Sequence, residues 1–313
     1  VGAARLLRGL VEVVSPHHVE AIVNTGDDVV LHGLHVSPDL DTVTYTLADA
    51  VPPERGWGLR DETWAVMDAL ERYCAVAPPA SGAAATWFRL GDRDLATHLY
   101  RTHRLAEGAS LSTVTAEVTA AWGVDVVLLP MTDDPVATVM VRPEGEIGFQ
   151  DYFVRRRHSV AVTGVRFDGA DAARPGPGVL EALGRAEVVV ICPSNPIVSV
   201  GPILAVPGVR AALAARREAT VAVSPIVAGA ALKGPADRLM AELGHEVSVV
   251  GVARLYAPLA ATLVVDTADA ALAPAVEAAG IRCVVAPAIM HGVAEAGALA
   301  EVVLAAGRGP AGP

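Results

Sequence analysis

Four carboxylates, Asp27, Asp28, Asp39 and Asp41, fall in two short polar turns of residues 22–45, IVNTGDDVVLHGLHVSPDLDTVTY. Apolar runs flank both turns, so the turns are expected where buried strands end. A strand over residues 19–23 is closed by Asn24-Thr25-Gly26, which has turn chemistry. Ser37 reads as a helix N-cap and Pro38 as the first helical residue. That places Asp39 and Asp41 in the opening turn of a helix running to about Leu47. A single Asp there needs no ligand, because it answers free N–H groups and the helix dipole. The set is different. If the two turns meet, carboxylates about 6 Å apart repel by roughly 3 kcal/mol per pair at an effective dielectric near 20. A hard cation such as magnesium, holding a phosphate-bearing substrate, offsets that repulsion. On this reading Asp41→Asn leaves the fold as stable as before or more so, because one repelling charge disappears.

The elements that must position these acids follow the pattern of an α/β protein. Leu6, Leu7, Leu10, Val11 and Val14 recur at helical spacing from the first residues. Beyond the acidic stretch, Asp61 is expected to cap a helix to about Tyr73, with Trp64, Met67, Leu70 and Tyr73 as its core stripe. Gly91-Asp92-Arg93-Asp94 opens a helix carrying His98, and a third helix runs from Ser112 to Gly123. Strands are expected over 124–129 and 136–141, with a turn at 143–146 leading to another. Arg155-Arg156-Arg157-His158 reads as a solvated helix end. From residue 180 the alternation is regular: strands at 188–192, 221–223, 263–265 and 283–285, helices near 208–217, 235–243, 268–279 and 293–306. That is a Rossmann-like parallel sheet with helices on both faces. Such sheets bind ligands beyond the carboxyl ends of their strands, which directs attention to Ser194, Asn195 and Ser224. Lys233, ahead of a helix, is a phosphate contact or a plain loop lysine.

Several motifs stand in one order: Asn24-Thr25-Gly26-Asp27-Asp28, His32-Gly33-Leu34, Ser37-Pro38-Asp39-Leu40-Asp41-Thr42 and Arg55-Gly56-Trp57-Gly58. Then come Leu90-Gly91-Asp92-Arg93-Asp94-Leu95-Ala96-Thr97-His98, Leu129-Pro130-Met131-Thr132-Asp133-Asp134-Pro135, Pro193-Ser194-Asn195-Pro196 and Ser224-Pro225-Ile226. In this arrangement the whole chain resembles the 2-phospho-L-lactate transferase family, called phosphoenolpyruvate transferases in mycobacteria and their relatives. The resemblance implies transfer of a phosphate-linked three-carbon acid from a guanosine diphosphate donor to the deazaflavin Fo, with GMP released. It implies magnesium on Asp28, Asp39 and Asp41, and Asp41 and Arg93 as catalytic residues. The Fo acceptor would meet Asp41, Arg93, Asp94 and His98. The nucleotide and phosphates would meet Gly2, Asn24, Ser194, Asn195, Ser224 and Lys233. It also implies a strand and a Gly-Gly-x-Gly loop ahead of the first helix, of which Val1-Gly2 looks like the tail, and a homodimer. No residue distinguishes phosphoenolpyruvate from 2-phospho-L-lactate.

The expected layout is one domain over 1–313, a Rossmann-like core of about 1–45 and 160–313 with a helical and small-sheet insertion at about 46–159. Composition fits this. Of 313 residues 52% are hydrophobic, enough for a large core, and the net charge of −11 excludes a nucleic-acid surface, which needs a basic stripe. No apolar run reaches the roughly 18 residues of a membrane span. Cys74, Cys192 and Cys283 are far apart, fit no metal spacing and suggest reduced thiols in a cytoplasmic protein. His32 and His35 are spaced like ligands, but a hard cation prefers oxygen. Two other readings compete. A non-enzymatic nucleotide-sugar-binding regulator of the same superfamily shares the Asn-x-x-Asp-Asp turn but has a Gly/Ser-rich run where Val29-Val30-Leu31-His32 stands here. An NAD-dependent oxidoreductase would need the complete GxGxxG fingerprint, which is absent.

Overall fold

The computed structural model describes residues 1–52, 56–78 and 81–308. Arg55 of the Arg-Gly-Trp-Gly motif and the Gly/Pro-rich tail from residue 309 lie outside the described residues. The chain starts with helix α1 (Gly2–Val13), strand β1 (Glu20–Val23), a hairpin of β2 (Val29–Leu31) and β3 (Leu34–Val36), and helix α2 (Pro38–Leu47). Helices α3 (Ala65–Cys74), α4 (Asp94–Ala106) and α5 (Leu111–Ala121) follow, then β4 (Val127–Pro130). The antiparallel strands β5 (Ala137–Val141), β6 (Ile147–Gly148) and β7 (Gly164–Asp168) lie in the order β6-β5-β7. The second half supplies β8 (Val189–Ile191), β9 (Thr220–Val223), a short hairpin β10–β11 (Ile226–Val227, Ala230–Ala231), β12 (Thr262–Val265) and β13 (Arg282–Val285). The last helix is Val293–Gly307.

Strands β13-β12-β9-β8 form a parallel sheet, and β1 pairs in parallel with β4. The period of two explains the layers. Val221 and Val223 of β9 and Val264 of β12 point to one side, with Leu6, Leu7 and Leu10 of α1 and Leu299 and Val303 of the last helix. Ala222, Leu263 and Val265 point to the other, onto Leu213, Val252 and Val276. Helices therefore cover both faces, as an all-apolar parallel sheet requires. Gly9 allows α1 and the last helix to close: a Cβ there would stand 2.3 Å from the Ala296 backbone. Residues of β1 and β8 line a mainly apolar cavity of about 750 Å³, and Asn24, Asp39 and Ser194 are among its polar lining residues. Among the described residues no single helix is long and apolar enough to cross a membrane.

Two local expectations are corrected. Helix α3 begins four residues after Asp61, which sits at φ 56° outside it. The cap is Asp92, distant in sequence, which accepts from the N–H groups of Ala65 and Val66 at 2.8 and 3.0 Å. Of the stripe on α3 only Met67 is buried, and Tyr73 is 60% exposed, so this helix packs by a narrow contact. The run at 155–158 is a solvated helix end as expected: Arg155 closes a five-residue π-helical turn (Asp151–Arg155), Arg156 is its C-cap, and Arg157 and His158 adopt positive φ beyond it.

Candidate active site

Asn24 is the first residue beyond β1 and gathers the acids. Its amide nitrogen donates to Asp27 Oδ2 at 3.0 Å and to Asp39 Oδ2 at 3.1 Å, while its oxygen accepts from Gly26 N at 2.8 Å. The two polar turns thus meet, through Asp27 and Asp39. Asp28 turns away toward the hairpin, where the Ser37 hydroxyl donates to it at 2.6 Å and His35 Nε2 lies 2.9 Å away. Ser37 occupies the N-cap position of α2, yet its hydroxyl binds Asp28 rather than the helix N–H groups. The His32-Gly33 pair is the tight turn of the β2–β3 hairpin, both residues at positive φ. Burial foremost, and then the Asp39 charge, push Asp27 well above the ordinary carboxylate range, against the opposing pull of the nearby Thr138 hydroxyl and of the Asn24 amide. Burial also raises Asp39, and raises Asp28 against the pull of His35 and Ser37. Asp27 Oδ1 and Asp28 Oδ1 are buried without a hydrogen-bond partner.

Asp41 belongs to a second group. It is 4% exposed, and the guanidinium of Arg101 grips both its oxygens, with one contact of 3.2 Å. His98 lies between, its Nδ1 3.6 Å from Asp41 Oδ2 and its Nε2 3.3 Å from Asp94 Oδ2. The buried Tyr45 hydroxyl donates to Asp94 at 2.6 Å and lies 2.7 Å from Thr97 Oγ1. Burial would raise Asp94, but His98, Tyr45 and the Arg101 charge outweigh it and hold the carboxyl below its ordinary value. Asp28, Asp39 and Asp41 therefore do not converge as one ligand set. Among the described residues the one group of three metal-capable side chains is Asp41, Asp94 and His98. Arg101 already supplies positive charge there.

The remaining candidates divide. Arg93 is exposed, and its guanidinium donates to the Arg60 carbonyl at 2.6 Å. Its backbone N–H and that of Asp94 are held by Glu62. Gly2 starts α1 against the end of β8, where a Cβ would stand 2.4 Å from Pro193 O. Ser194 lines the same cavity as Asn24 and Asp39. Asn195 accepts from Ile197 N and Val198 N, and its own amide nitrogen is buried without a partner. Ser224 closes its own turn, donating to Ile226 O at 2.8 Å and accepting from Ile226 N at 3.1 Å, which leaves its hydroxyl engaged locally. Lys233 Nζ stands 3.7 Å from the position a Cβ would take on Gly56. The acids of the Thr-Asp-Asp-Pro motif hold loops: Asp133 accepts from Ser112 N and Oγ, and Asp134 from Arg174 N.

Arg101 and Tyr45 were not among the residues that sequence patterns marked. A signal was present. Asp94, His98 and Arg101 stand at i, i+4 and i+7, one face of a helix, as do Asp41 and Tyr45 at i and i+4.

The 2-phospho-L-lactate transferase CofD family matches residues 1–283. A phosphoenolpyruvate transferase of Kitasatospora aureofaciens is 46% identical over 312 residues, 97% of this chain and 94% of that protein. One from Streptomyces griseus is 47% identical over 309 residues, 97% and 95% of the two chains. One from Mycolicibacterium smegmatis is 41% identical over 281 residues, 85% and 84%. A crystal structure of a UPF0052-family protein from Bacillus halodurans superposes with a TM-score of 0.59 at 19% identity, covering 97% of this chain and 96% of that one, and so shares the fold. With the match spanning nearly the whole chain, the protein belongs to the 2-phospho-L-lactate transferase CofD family of transferases.

Proposed function

We propose that the protein transfers a phosphoenolpyruvyl or 2-phospholactyl group from a guanosine diphosphate-linked donor to the deazaflavin Fo, giving a coenzyme precursor and GMP. The observation that carries this reading is the meeting of Asn24, Asp27 and Asp39 at the carboxyl end of β1, beside the start of α1 and the β8 loop. Anionic groups are favoured at the N-terminus of a helix following a strand. The start of α1 at Gly2 and the cavity-lining residues Asn24 and Ser194 are the donor side of the proposal. Asp41, Asp94, His98 and Arg93 are its acceptor side, with Asp41 orienting the attacking hydroxyl.

The acids fit magnesium. Asp27 and Asp39 are oxygen donors brought together by one amide, and Asp27 Oδ1, buried without a partner, remains for a hard cation. Asp27 and Asp39 are the residues that would hold it, in place of a set containing Asp28 and Asp41. A bound magnesium would neutralise charge on the diphosphate. The chain's own residues do the rest. Asn24 holds Asp27 and Asp39 in register, and the α2–α4 contact fixes Asp41. Phosphoryl-type transfer depends on such positioning and charge neutralisation more than on covalent chemistry.

Calorimetry tests the donor side. Magnesium is expected to strengthen binding of the guanosine diphosphate-linked donor to the wild type by about tenfold or more, a coupling of about 1.4 kcal/mol. In Asp27→Asn that coupling is expected to vanish. Equal donor affinity with and without magnesium in the wild type would remove the cation from these acids.

A further inference from the structure

Arg101 is a permanent cation enclosed in the protein, 2% exposed. It comes from the third turn of α4, and its guanidinium spans to α2, the helix that carries both Asp39 and Asp41. Both η nitrogens meet Asp41, and one also lies 3.5 Å from His98 Nδ1 and 3.4 Å from the His35 carbonyl. His35 itself is tied to α4, its N–H donating to Thr102 Oγ1 at 2.8 Å. The arrangement joins α2, α4 and the β2–β3 hairpin at one planar group. A guanidinium fork meeting a carboxylate fixes the plane and direction of that carboxylate, which an ammonium point charge does not.

We propose that Arg101 is the positioning residue for Asp41: its buried fork sets the direction in which Asp41 presents its carboxylate to the acceptor. This rests on the transferase reading above. Arg101 touches neither substrate; it acts through Asp41, and it supplies positive charge beside Asp41 and His98, two members of the Asp41, Asp94 and His98 group. Loss of a buried partner that orients an active-site ligand typically lowers activity by about 10- to 100-fold.

The test compares Arg101→Lys, Arg101→Ala and Asp41→Asn with the wild type, each assayed well below its own melting temperature. Arg101→Lys keeps the charge and is expected to fold, with kcat lower by about 10- to 100-fold and donor KM little changed. Methylguanidinium added to Arg101→Ala is expected to restore part of kcat, and to restore nothing to Asp41→Asn. Where Arg101→Ala does not fold, the kcat-against-KM split in Arg101→Lys decides alone. Combining Arg101→Lys with Asp41→Asn is expected to cost no more than Asp41→Asn itself, since residues acting as a unit are non-additive. A folded Arg101→Lys with wild-type kcat, or independent effects in the double variant, would overturn the proposal while leaving the transferase reading intact. A wild type that consumes neither donor removes both. A stoichiometric transition metal found in the purified wild type by elemental analysis and lost in Asp94→Asn would place a metal among Asp41, Asp94 and His98, and would also overturn it.

Discussion

Asp41→Asn is expected to melt early and to lose turnover. Sequence reasoning points the other way for stability, because removal of one of several clustered acids relieves repulsion. The structure reverses the sign. Asp41 does not join Asp27 and Asp39 at Asn24; both its oxygens are gripped by Arg101, and the two side chains are 6% and 2% exposed. Asparagine keeps the shape but leaves a buried guanidinium without its counter-charge. Breaking a buried pair from one side typically costs about 3–5 kcal/mol. Turnover is expected to fall by about 100-fold or more, on the order of 3 kcal/mol in the barrier, if Asp41 orients the attacking hydroxyl. Both losses are read on one preparation, by thermal unfolding and by initial rate below the variant's transition. A variant as stable as the wild type would mean that Arg101 finds another partner. A variant with normal kcat would remove Asp41 from the reaction.

Asp39→Asn is expected to do the opposite to stability and as much or more to rate. Burial holds Asp39 above its ordinary value, and burial together with the Asp39 charge raises Asp27 further. A carboxyl with a raised folded-state pKa contributes stability that is fully present below its unfolded pKa and lost as pH rises through the folded value. In metal-free buffer the wild type is therefore expected to lose stability from the ordinary carboxylate range upward. Asp39→Asn should flatten that loss and melt no earlier than the wild type near neutral pH. On the proposed reading its transfer rate should nonetheless fall by about 100- to 1,000-fold, roughly 3–4 kcal/mol, because Asp39 would no longer supply a preorganised charge beside the donor diphosphate. Two acids two residues apart in one helical turn thus have opposite stability signs. Parallel melts across pH, with and without magnesium, separate them. Equal destabilisation by both substitutions would contradict the division into two groups.

Much of the frame was legible in the residues because it is written locally. The strands of the second half are short apolar runs closed by Pro, Ser or Asp, and the expected β8, β9, β12 and β13 form the parallel sheet. Helix α2 begins at Pro38 as its Ser-Pro-Asp signature indicates. What failed depends on residues far apart in the chain. The cap of α3 is Asp92, 27 residues from Ala65, which no local pattern can rank against the nearer Asp61. The hydroxyl of Ser37, at the right place for a cap, is drawn to Asp28 by the hairpin between them. The acids were expected to share one cation because all four lie within a short stretch. Instead the helical pitch of α2 turns Asp39 toward Asn24 and Asp41 toward α4, and α4 brings a guanidinium to meet it. Helical spacing on α4 carried that information, but only after α2 and α4 were known to be neighbours.

The most direct measurement is a single incubation of the protein with Fo, magnesium and an equimolar mixture of the two guanosine diphosphate-linked donors, followed by mass spectrometry. The account predicts GMP in equal amount to a deazaflavin product heavier than Fo by one phosphate-linked three-carbon acid, with the mass showing which donor is used. Donor retained by the protein, with Fo unchanged and no GMP formed, would contradict it and favour a nucleotide-binding protein that performs no transfer.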